Sequence, residues 1–228
     1  MLKIAFAGNP NVGKTALINE IAGSKLKVGN WPGVTVEKKE AQFTYENEEI
    51  FLIDLPGVYS LSPYSNEEII TRDYIINENP DLIINVVDAT NLERNLYLTA
   101  LLKELGKPMI IALNLYDEFK KLDYRLDEKQ FEEFFGLNIV KTSARTREGL
   151  EDLLKKAIAM SKEKEKTNFK LHFNSTIDKE VEAIKKEISD KEEFEPVLEK
   201  LSLDYLAVKL LEEDKHLIDV LKNDYKIS

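Results

Sequence analysis

One eight-residue segment near the amino terminus constrains the fold more than any other part of the chain. The segment GNPNVGKT, Gly8 to Thr15, fits the pattern GxxxxGK(S/T) and lies between an apolar run at Leu2 to Ala7 and a helix-like segment. Glycines let successive backbone N–H groups turn inward around phosphate oxygens, and the N-terminus of the following helix adds partial positive charge. The pattern predicts a strand, a phosphate-binding loop and a helix in immediate succession.

Further apolar, β-rich runs alternate with helix-like segments along the first part of the chain. They lie at Ile50 to Ile53, Leu82 to Val87, Met109 to Leu113 and Ile139 to Val140. The more polar segment Lys38 to Tyr45 is separated from Ile50 by a gap short enough for an antiparallel hairpin. Together these runs predict an α/β fold, with a mostly parallel six-stranded sheet flanked by helices.

The spacing of apolar residues changes to a helical period after residue 149. Leu150, Leu153, Leu154, Ala157 and Ile158 form one stripe, and the charged segment 161–168 that follows has no apolar periodicity. Beyond it lie two more helical stripes, which consist of Ile177, Val181, Ile184 and Ile188 and of Leu203, Leu206, Ala207, Leu210 and Leu211. We therefore predict a first domain over residues 1–162 and a small helical domain over 166–228.

Composition excludes several classes of function. The 228 residues carry a net charge of −10, which argues against a partner that is bound through clustered Lys and Arg, so no nucleic acid is expected. The chain has no cysteine, which excludes disulfides and thiolate metal sites and suits an intracellular setting. No run approaches the roughly 18 apolar residues that span a bilayer, so we expect a soluble chain.

The phosphate-binding loop is followed by residues suited to a metal-bound nucleotide. Lys14 would reach the β and γ phosphates, and the Thr15 hydroxyl would replace a water on Mg²⁺. The segment DLPG, Asp54 to Gly57, follows a predicted strand, where a carboxylate can hold a Mg²⁺-bound water and a glycine N–H can meet the γ phosphate. By itself DLPG is an ordinary turn.

Two later segments indicate which base is bound. In NLYD, Asn114 to Asp117, the carboxylate could accept two hydrogen bonds from the N1 and N2 donors of guanine, a donor pair that adenine lacks. In SAR, which begins at Ser143, the Ala144 N–H would face guanine O6. Each segment alone is typical of a turn or cap. Their order after the phosphate-binding loop favours GTP and GDP.

Together these segments resemble the small GTPase superfamily over residues 1 to about 160. The most similar family is the N-terminal cytosolic G domain of the ferrous iron transporter FeoB, through GNPNVGKTALIN at Gly8, VGNWPGVTVE at Val28, DLPGVYSLSPYS at Asp54 and DATNLERNLYLT at Asp88. The resemblance implies a P-loop GTPase fold and a helical domain that supports GDP binding. It also implies that a membrane permease is attached to this chain and that the chain lies at the cytoplasmic face of the cell membrane. Whether the chain forms a homo-oligomer stays open.

The resemblance also implies roles for residues in the switch segments. Thr35 would bind Mg²⁺ and the γ phosphate in switch I, and Gly57 would contact the γ phosphate in switch II. Asn11 matches the asparagine that K⁺-activated GTPases use as a cation ligand, although a turn-forming Asn after Pro10 is an equal alternative. K⁺ would then stabilise transition-state charge where other enzymes place an arginine finger.

Two departures from common GTPase patterns bear on turnover and release. Leu115 stands where many GTPases carry a lysine, which predicts modest affinity and fast release of GDP. Val58 follows Gly57 where Ras-like enzymes carry the water-orienting glutamine, so hydrolysis should be slow. Glu67 and Glu68 could hold a water, although charges at such positions are more often merely solvated.

These observations predict a complete set of site residues. The predicted nucleotide contacts are Gly8, Asn9, Pro10, Asn11, Val12, Gly13, Lys14, Thr15, Ala16, Asp54, Gly57, Asn114, Asp117, Ser143 and Ala144. The predicted catalytic residues are Asn11, Lys14, Thr35 and Gly57, and the predicted Mg²⁺ ligands are Thr15, Thr35 and Asp54. Two alternatives stay open at this point: a ribosome- or tRNA-associated K⁺-activated GTPase, and a nucleotide-sensing module without useful turnover.

Overall fold

A computed structural model describes residues 1–62, 64–163 and 174–227 of the chain. These residues divide into two compact units. The first contains residues 1–163 apart from 104–106, and the second contains residues 104–106 and 174–227. The predicted charged segment 161–168 lies mostly outside the described residues, so the exact domain boundary stays a prediction.

The first unit is built on one seven-stranded sheet with the order β2-β3-β4-β1-β5-β6-β7. Its strands are β1 (Leu2–Gly8), β2 (Leu26–Asn30), β3 (Glu37–Tyr45), β4 (Glu48–Asp54), β5 (Leu82–Asp88), β6 (Met109–Asn114) and β7 (Asn138–Lys141). Its helices are α1 (Lys14–Ala22), α2 (Asn66–Asp73), α3 (Leu92–Glu104), α4 (Tyr116–Phe119), α5 (Glu128–Phe135) and α6 (Leu150–Glu163). A π-helical turn, Tyr74–Glu78, extends α2.

The predicted parallel sheet and antiparallel hairpin are both confirmed. Strand β1 pairs in parallel with β4 on one side and with β5 on the other, and β6 and β7 continue the parallel part. Strands β3 and β4 are antiparallel, joined at Glu46 and Asn47, whose φ angles of 46° and 67° suit a tight hairpin turn. The carboxyl ends of β1, β4, β5, β6 and β7 therefore lie along one edge of the sheet, where ligands bind in open α/β folds.

The predicted count of six strands was wrong, because the sheet contains an additional strand, β2. This strand pairs antiparallel with β3, from Leu26 beside Ala41 to Asn30 beside Glu37. Most of β2 is exposed, and it has only two large apolar residues, Leu26 and Val28. An edge strand that faces water carries a weak hydrophobic signal, and this hid it in the sequence.

Apolar side chains from the strands and from α1 and α6 form the core of the first unit. The central strands are buried on both faces, as in Ile4 and Ala5 of β1 and the neighbours Ile83 and Ile84 of β5. The predicted stripe on α6 packs against this core, and its members Leu150, Leu153, Leu154, Ala157 and Ile158 are all buried. This packing holds the loops at the carboxyl edge of the sheet on a rigid support.

The second unit is helical, as predicted. Its helices are α7 (Ser175–Ser189), α8 (Glu195–Leu198), α9 (Leu203–Leu211) and α10 (Lys215–Asn223), with a 3₁₀ turn at Glu192–Phe194. Helices α7 and α9 pack together, and Lys185 of α7 pairs with Asp204 of α9 at 2.7 Å. The predicted stripes are buried at Val181, Ile188, Leu206 and Ala207, whereas Leu211 is exposed. In the parts of the chain that the structure describes, no helix combines the length and apolar character that crossing a bilayer requires.

Candidate nucleotide-binding site

The loop between β1 and α1 is shaped to surround a phosphate. Asn11 and Gly13 have φ angles of 66° and 81°, in the left-handed region, so the backbone turns sharply at both positions. A side chain at Gly8 would collide with the Val86 carbonyl of β5, so only glycine fits there. Gly13 precedes α1 without a side-chain cap, which leaves the first N–H groups of that helix available to an anion.

Lys14, Thr15 and Asp54 meet at the start of α1. The Lys14 ammonium forms an ion pair with the Asp54 carboxylate and donates to the Leu55 carbonyl at 2.5 Å. The Thr15 hydroxyl donates to the other oxygen of Asp54 at 2.7 Å. Because the Lys14 and Asp54 side chains are only 8% and 5% exposed, this pair is held in a low-dielectric environment. The structure thus brings these three predicted residues together, and their roles toward phosphate and Mg²⁺ stay predictions.

The segment after β4 is tied to the phosphate-binding loop by backbone contacts. The Val58 N–H donates to the Gly8 carbonyl at 3.2 Å, and Val58 itself is buried. A Cβ at Gly57 would lie 3.1 Å from Pro10 Cα, a tight contact that would require the loop to shift slightly. Gly57 therefore lies against the phosphate-binding loop, and its predicted contact with the γ phosphate stays a prediction.

A second cluster forms where β6 and β7 end. Asn114 is fully buried, and its amide donates to the Val12 carbonyl at 2.9 Å. The Thr142 hydroxyl, just after β7, donates to the Asn114 side-chain oxygen at 3.4 Å. Asn114 therefore joins the phosphate-binding loop to the segment that contains Ser143.

A cavity of about 400 Å³ adjoins Asn114, and its walls come from three parts of the chain. The end of the phosphate-binding loop and α1 form one wall, the end of β6 and the segment after it form the second, and the segment after β7 forms the third. The lining residues, in this order, are Gly13, Ala16, Asn19 and Glu20, then Asn114, Leu115, Asp117 and Glu118, then Ala144 and Arg145. This volume lies in the range of small-molecule sites. Five of the predicted nucleotide contacts line it.

The Asp117 carboxylate combines a satisfied oxygen with an unsatisfied one. Arg145 donates to Asp117 Oδ2 through Nε at 2.7 Å and through Nη2. Within the described part of the chain, Asp117 Oδ1 is buried and has no partner in hydrogen-bond geometry. Interaction with the Ser143 hydroxyl and then with Arg145 lowers the pKa of Asp117, while burial opposes the shift. Ser143 is thus the main group that stabilises the charge of the Asp117 carboxylate.

Leu115 introduces backbone strain into this cavity. Its φ angle is 58°, in the left-handed region that side chains with a Cβ rarely adopt, and it directly precedes α4. Non-glycine residues in such conformations cost about 1 kcal/mol or more, and they are concentrated at functional sites. The side chain that departs from the common lysine thus lies on the cavity wall.

Two predicted residues are not brought to the cluster around Asp54. Thr35 is exposed in the loop between β2 and β3, and no hydrogen bond joins it to Thr15 or Asp54 among the described residues. Asn11 is exposed on the phosphate-binding loop. The roles assigned to Thr35 and Asn11 stay predictions.

Glu68, one of the candidate water-holding residues, has a structural role. The Ser65 hydroxyl accepts from the Glu68 N–H, and the Glu68 carboxylate accepts from the Ser65 N–H, both at 3.2 Å. This capping box starts α2. The Ser-x-x-Glu spacing in the sequence is a signal for this role, and it leaves Glu67 as the less committed carboxylate.

Sequence patterns did not reveal two contacts of arginines with the site. The pairing of Arg145 with Asp117 joins residues on two different loops, and Arg94 of α3 accepts a hydrogen bond from Asn9 Nδ2 through its carbonyl at 3.2 Å. The Arg94 side chain also donates to the Tyr59 hydroxyl at 2.6 Å. Neither arginine belongs to a pattern whose spacing predicts its partner.

Comparison with known proteins identifies the family of a chain with this fold and site. The family model described as ferrous iron transport protein B matches residues 2–157. This chain belongs to that family. The Fe(2+) transporter FeoB of Methanocaldococcus jannaschii is 47% identical over 222 residues, which cover 97% of this chain and 32% of the relative.

Other relatives agree with this assignment. A Fe(2+) transport protein A/Fe(2+) transporter FeoB fusion protein of Porphyromonas gingivalis is 44% identical over 95% of this chain and 26% of the relative. The chain thus spans about a quarter to a third of the length of these two relatives. The comparisons do not favour a ribosome- or tRNA-associated GTPase.

Solved structures of the family share the fold. The cytosolic domain of the T. maritima FeoB iron transporter in a GDP form has a TM-score of 0.87 and 39% identity, covering 96% of this chain and 83% of that one. The same domain in a GMPPNP form has a TM-score of 0.87 and 40% identity, covering 94% of this chain and 82% of that one. The likeness covers nearly all of the present chain.

Proposed function

We propose that this chain binds GTP and GDP, hydrolyses GTP, and serves as the nucleotide-controlled domain of a ferrous iron transporter. The observation that carries the proposal is the cavity beside the phosphate-binding loop, in which Asp117 holds a buried oxygen without a hydrogen-bond partner among the described residues. A buried acceptor of this kind is unfavourable unless a ligand donates to it. Guanine supplies neighbouring N1 and N2 donors, and adenine does not.

The phosphate groups would lie on the loop that precedes α1. Backbone N–H groups of residues 8–16 and the ammonium of Lys14 would bind them, with Lys14 exchanging Asp54 for phosphate oxygens. The Thr15 hydroxyl and the Asp54 carboxylate are hard oxygen donors 2.7 Å apart, which suits a Mg²⁺ ion that retains several waters. When bound, the ion would neutralise charge on the β and γ phosphates.

The base would fill the cavity between Gly13 and Arg145. Asp117 would accept its N1 and N2 hydrogens, and the Ala144 N–H would face O6. Asn114 and Ser143, both buried, would hold these segments together, since Asn114 bonds to Val12 and the Ser143 hydroxyl accepts from the Thr146 N–H at 3.2 Å. Discrimination between purines that leave a buried carboxylate unpaired reaches about 10⁴-fold.

Hydrolysis would be slow and would respond to K⁺. The buried apolar Val58 cannot orient a water, and no glutamine follows Gly57. Asn11, exposed in a left-handed conformation on the phosphate-binding loop, would contribute a K⁺ ligand together with switch I carbonyls. Thr35 would complete the Mg²⁺ site on closure of its loop, and Gly57 would contact the γ phosphate.

The link to transport rests on the family. In a full-length transporter, a membrane permease would be attached to this chain, which would lie at the cytoplasmic face of the membrane. The nucleotide state of the switch loops would control passage of ferrous iron. Residues 1–162 would form the G domain, and residues 166–228 a helical domain that supports GDP binding.

A base-selectivity experiment tests the proposal most directly. Competition titrations against a fluorescent GDP analogue, in the presence of Mg²⁺, should show that GDP binds at least about 100-fold more tightly than ADP. Asp117→Asn should transfer the preference to xanthosine diphosphate, because the amide donates to the carbonyl that replaces the guanine amine. Equal affinities for GDP and ADP would contradict the assignment of the base site.

A second experiment tests hydrolysis separately from binding. Single-turnover release of phosphate from GTP should be faster in K⁺ than in Na⁺, and Asn11→Ala should remove this difference while GDP still binds. Equal rates in both salts would contradict the cation mechanism. Binding of GTP without any phosphate release would favour a nucleotide-sensing module instead.

A further inference from the structure

We propose that Arg145 is a positioning residue that competes with the guanine base for the Asp117 carboxylate and so sets guanine-nucleotide affinity. This proposal rests on the proposed function, because it concerns the same site. Its starting observation is that Arg145 already donates two hydrogen bonds to the single oxygen Oδ2 of Asp117. Both residues line the cavity beside the phosphate-binding loop.

The donors of Arg145 resemble those of the base. A guanidinium presents adjacent N–H groups in one plane from Nε and Nη2, and guanine presents adjacent N–H groups in one plane from N1 and N2. Each carboxylate oxygen has two acceptor positions, so Oδ2 is fully used by Arg145. A base that needs both carboxylate oxygens must therefore displace at least one N–H of Arg145.

The unequal exposure of the pair allows this exchange. Asp117 is 9% exposed and fixed in the cavity wall, whereas the Arg145 side chain is 63% exposed. Arg145 Nη2 also lies 3.0 Å from Glu118 Oε1, on the rim of the same cavity. The guanidinium can therefore leave Asp117 and keep Glu118 as a partner, so its displacement from Asp117 requires little free energy.

Competition of this kind reduces apparent affinity by a calculable factor. The measured dissociation constant is the intrinsic value divided by the fraction of molecules in which the carboxylate is accessible. Exposed ion pairs contribute up to about 1 kcal/mol, which corresponds to a factor of about five. Removal of the guanidinium should therefore tighten GDP binding by about fivefold.

Competition also depends on how many donors the base has. Hypoxanthine has N1–H but lacks the guanine amine, so it can donate to the unpartnered Oδ1 while Arg145 remains on Oδ2. Arg145 should therefore weaken the binding of GDP more than that of inosine diphosphate. A purely structural role of Arg145 would change both affinities by the same factor.

The experiment compares Arg145→Met with the parent chain in Mg²⁺, by competition titration with GDP and inosine diphosphate. Arg145→Met should bind GDP about fivefold tighter and inosine diphosphate less than twofold tighter. Arg147→Met is the matched control, since Arg147 lies on the same loop with similar exposure but pairs with Glu20. Because Glu20 also lines the cavity, the control should change both affinities by the same factor and leave their ratio unchanged.

Two further measurements identify the ion pair as the cause. The difference between Arg145→Met and the parent should shrink as ionic strength rises, because salt screens exposed charges. In an Asp117→Asn background, Arg145→Met should not alter the affinity for xanthosine diphosphate, because the guanidinium and the base no longer compete for the Asp117 carboxylate.

The contrary results are distinct. GDP binding that is unchanged or weaker in Arg145→Met would overturn competition while leaving the proposed function intact. An equal gain for GDP and inosine diphosphate, or a gain that persists with Asp117→Asn, would also overturn it. Absence of guanine-nucleotide binding by the parent would overturn the proposed function itself.

Discussion

The two ends of the candidate site are held together by different kinds of interaction. At the phosphate end, Lys14, Thr15 and Asp54 are joined by short polar contacts, and the Lys14–Asp54 pair is almost completely buried. At the base end, the charged contact between Asp117 and Arg145 involves a largely exposed arginine. The phosphate end is thus fixed by the core, and the base end by interactions that solvent can weaken.

The loop after β7 repeats this exposed type of contact. Arg147 pairs with Glu20 of α1, and Glu148 accepts from Lys120 at 2.6 Å. The first pair joins the loop to α1, and the second joins it to the residue that follows α4. The difference between the two ends predicts that phosphates meet a preformed surface, whereas the base meets walls that open at low energetic cost.

The largest expected effect concerns the buried pair. Lys14→Met should lower the free energy of unfolding without nucleotide by about 3 kcal/mol, because Asp54 is left as an uncompensated buried charge. Urea denaturation monitored by circular dichroism would measure the loss. Adding Asp54→Asn to Lys14→Met should recover part of the stability. A loss of unfolding free energy below 1 kcal/mol for the single variant would show that the phosphate end is no more firmly held than the base end.

Lys103 provides a second buried lysine for the comparison, and burial lowers the pKa of its ammonium to about 8. The folded pKa lies below the unfolded value, so the penalty for burying the charge is fully present below pH 8 and is relieved between pH 8 and about 10.5. Lys103→Met should therefore stabilise the chain at pH 7 by about 1 to 2 kcal/mol. Denaturant titrations should show a smaller gain at pH 10, and a gain independent of pH would contradict this cause.

At the base end, Leu115→Lys should slow GDP release by about fivefold, the effect of about 1 kcal/mol of added charge and packing contacts with the nucleotide. Leu115 lines the cavity, so a lysine side chain at this position starts from the cavity wall. Stopped-flow displacement of a fluorescent GDP analogue measures the rate. Leu115→Met preserves side-chain volume and should leave the rate unchanged. Equal rates for both variants would show that this wall does not limit release.

The smallest effect is expected for Arg147→Met. Its pair with Glu20 is exposed on both sides, so its loss should lower the free energy of unfolding by less than about 0.5 kcal/mol. Thermal denaturation of the variant beside the parent would measure this. A loss comparable to that of Lys14→Met would mean that the loop after β7 is as firmly anchored as the phosphate end.

Sequence predicted the phosphate end better than the base end for a physical reason. The strand, loop and helix around Gly8 to Thr15 are consecutive in the chain. Asp54 ends β4, which pairs in parallel with β1, so the predicted strands place Asp54 beside the phosphate-binding loop. The pairing of Arg145 with Asp117 joins two loops, and no period along the chain relates them. Loop contacts of this kind depend on side-chain geometry that patterns of apolar residues do not contain.

Local signals limited other predictions. Strand β2 was missed because most of it faces solvent. The spacing of Ser65 and Glu68 indicates a capping box, but Glu68 was considered only as a residue that could hold a water. Thr35 was assigned by resemblance alone, and its exposed position in the loop after β2 depends on how that loop closes. The surface segments, where burial does not select one conformation, were therefore the hardest to predict.

Strand β2 has a consequence for how the loop that contains Thr35 can move. The loop is closed by hydrogen bonds from Trp31 N to Val36 O at 2.9 Å and from Val34 N to Trp31 O at 3.3 Å, so it is the tip of the β2–β3 hairpin. Because β2 has a neighbour on only one side, it can separate from β3 without disturbing the parallel strands. Its amides should then exchange with deuterium through a local opening, far earlier than those of β1, which exchange only when the whole first unit unfolds.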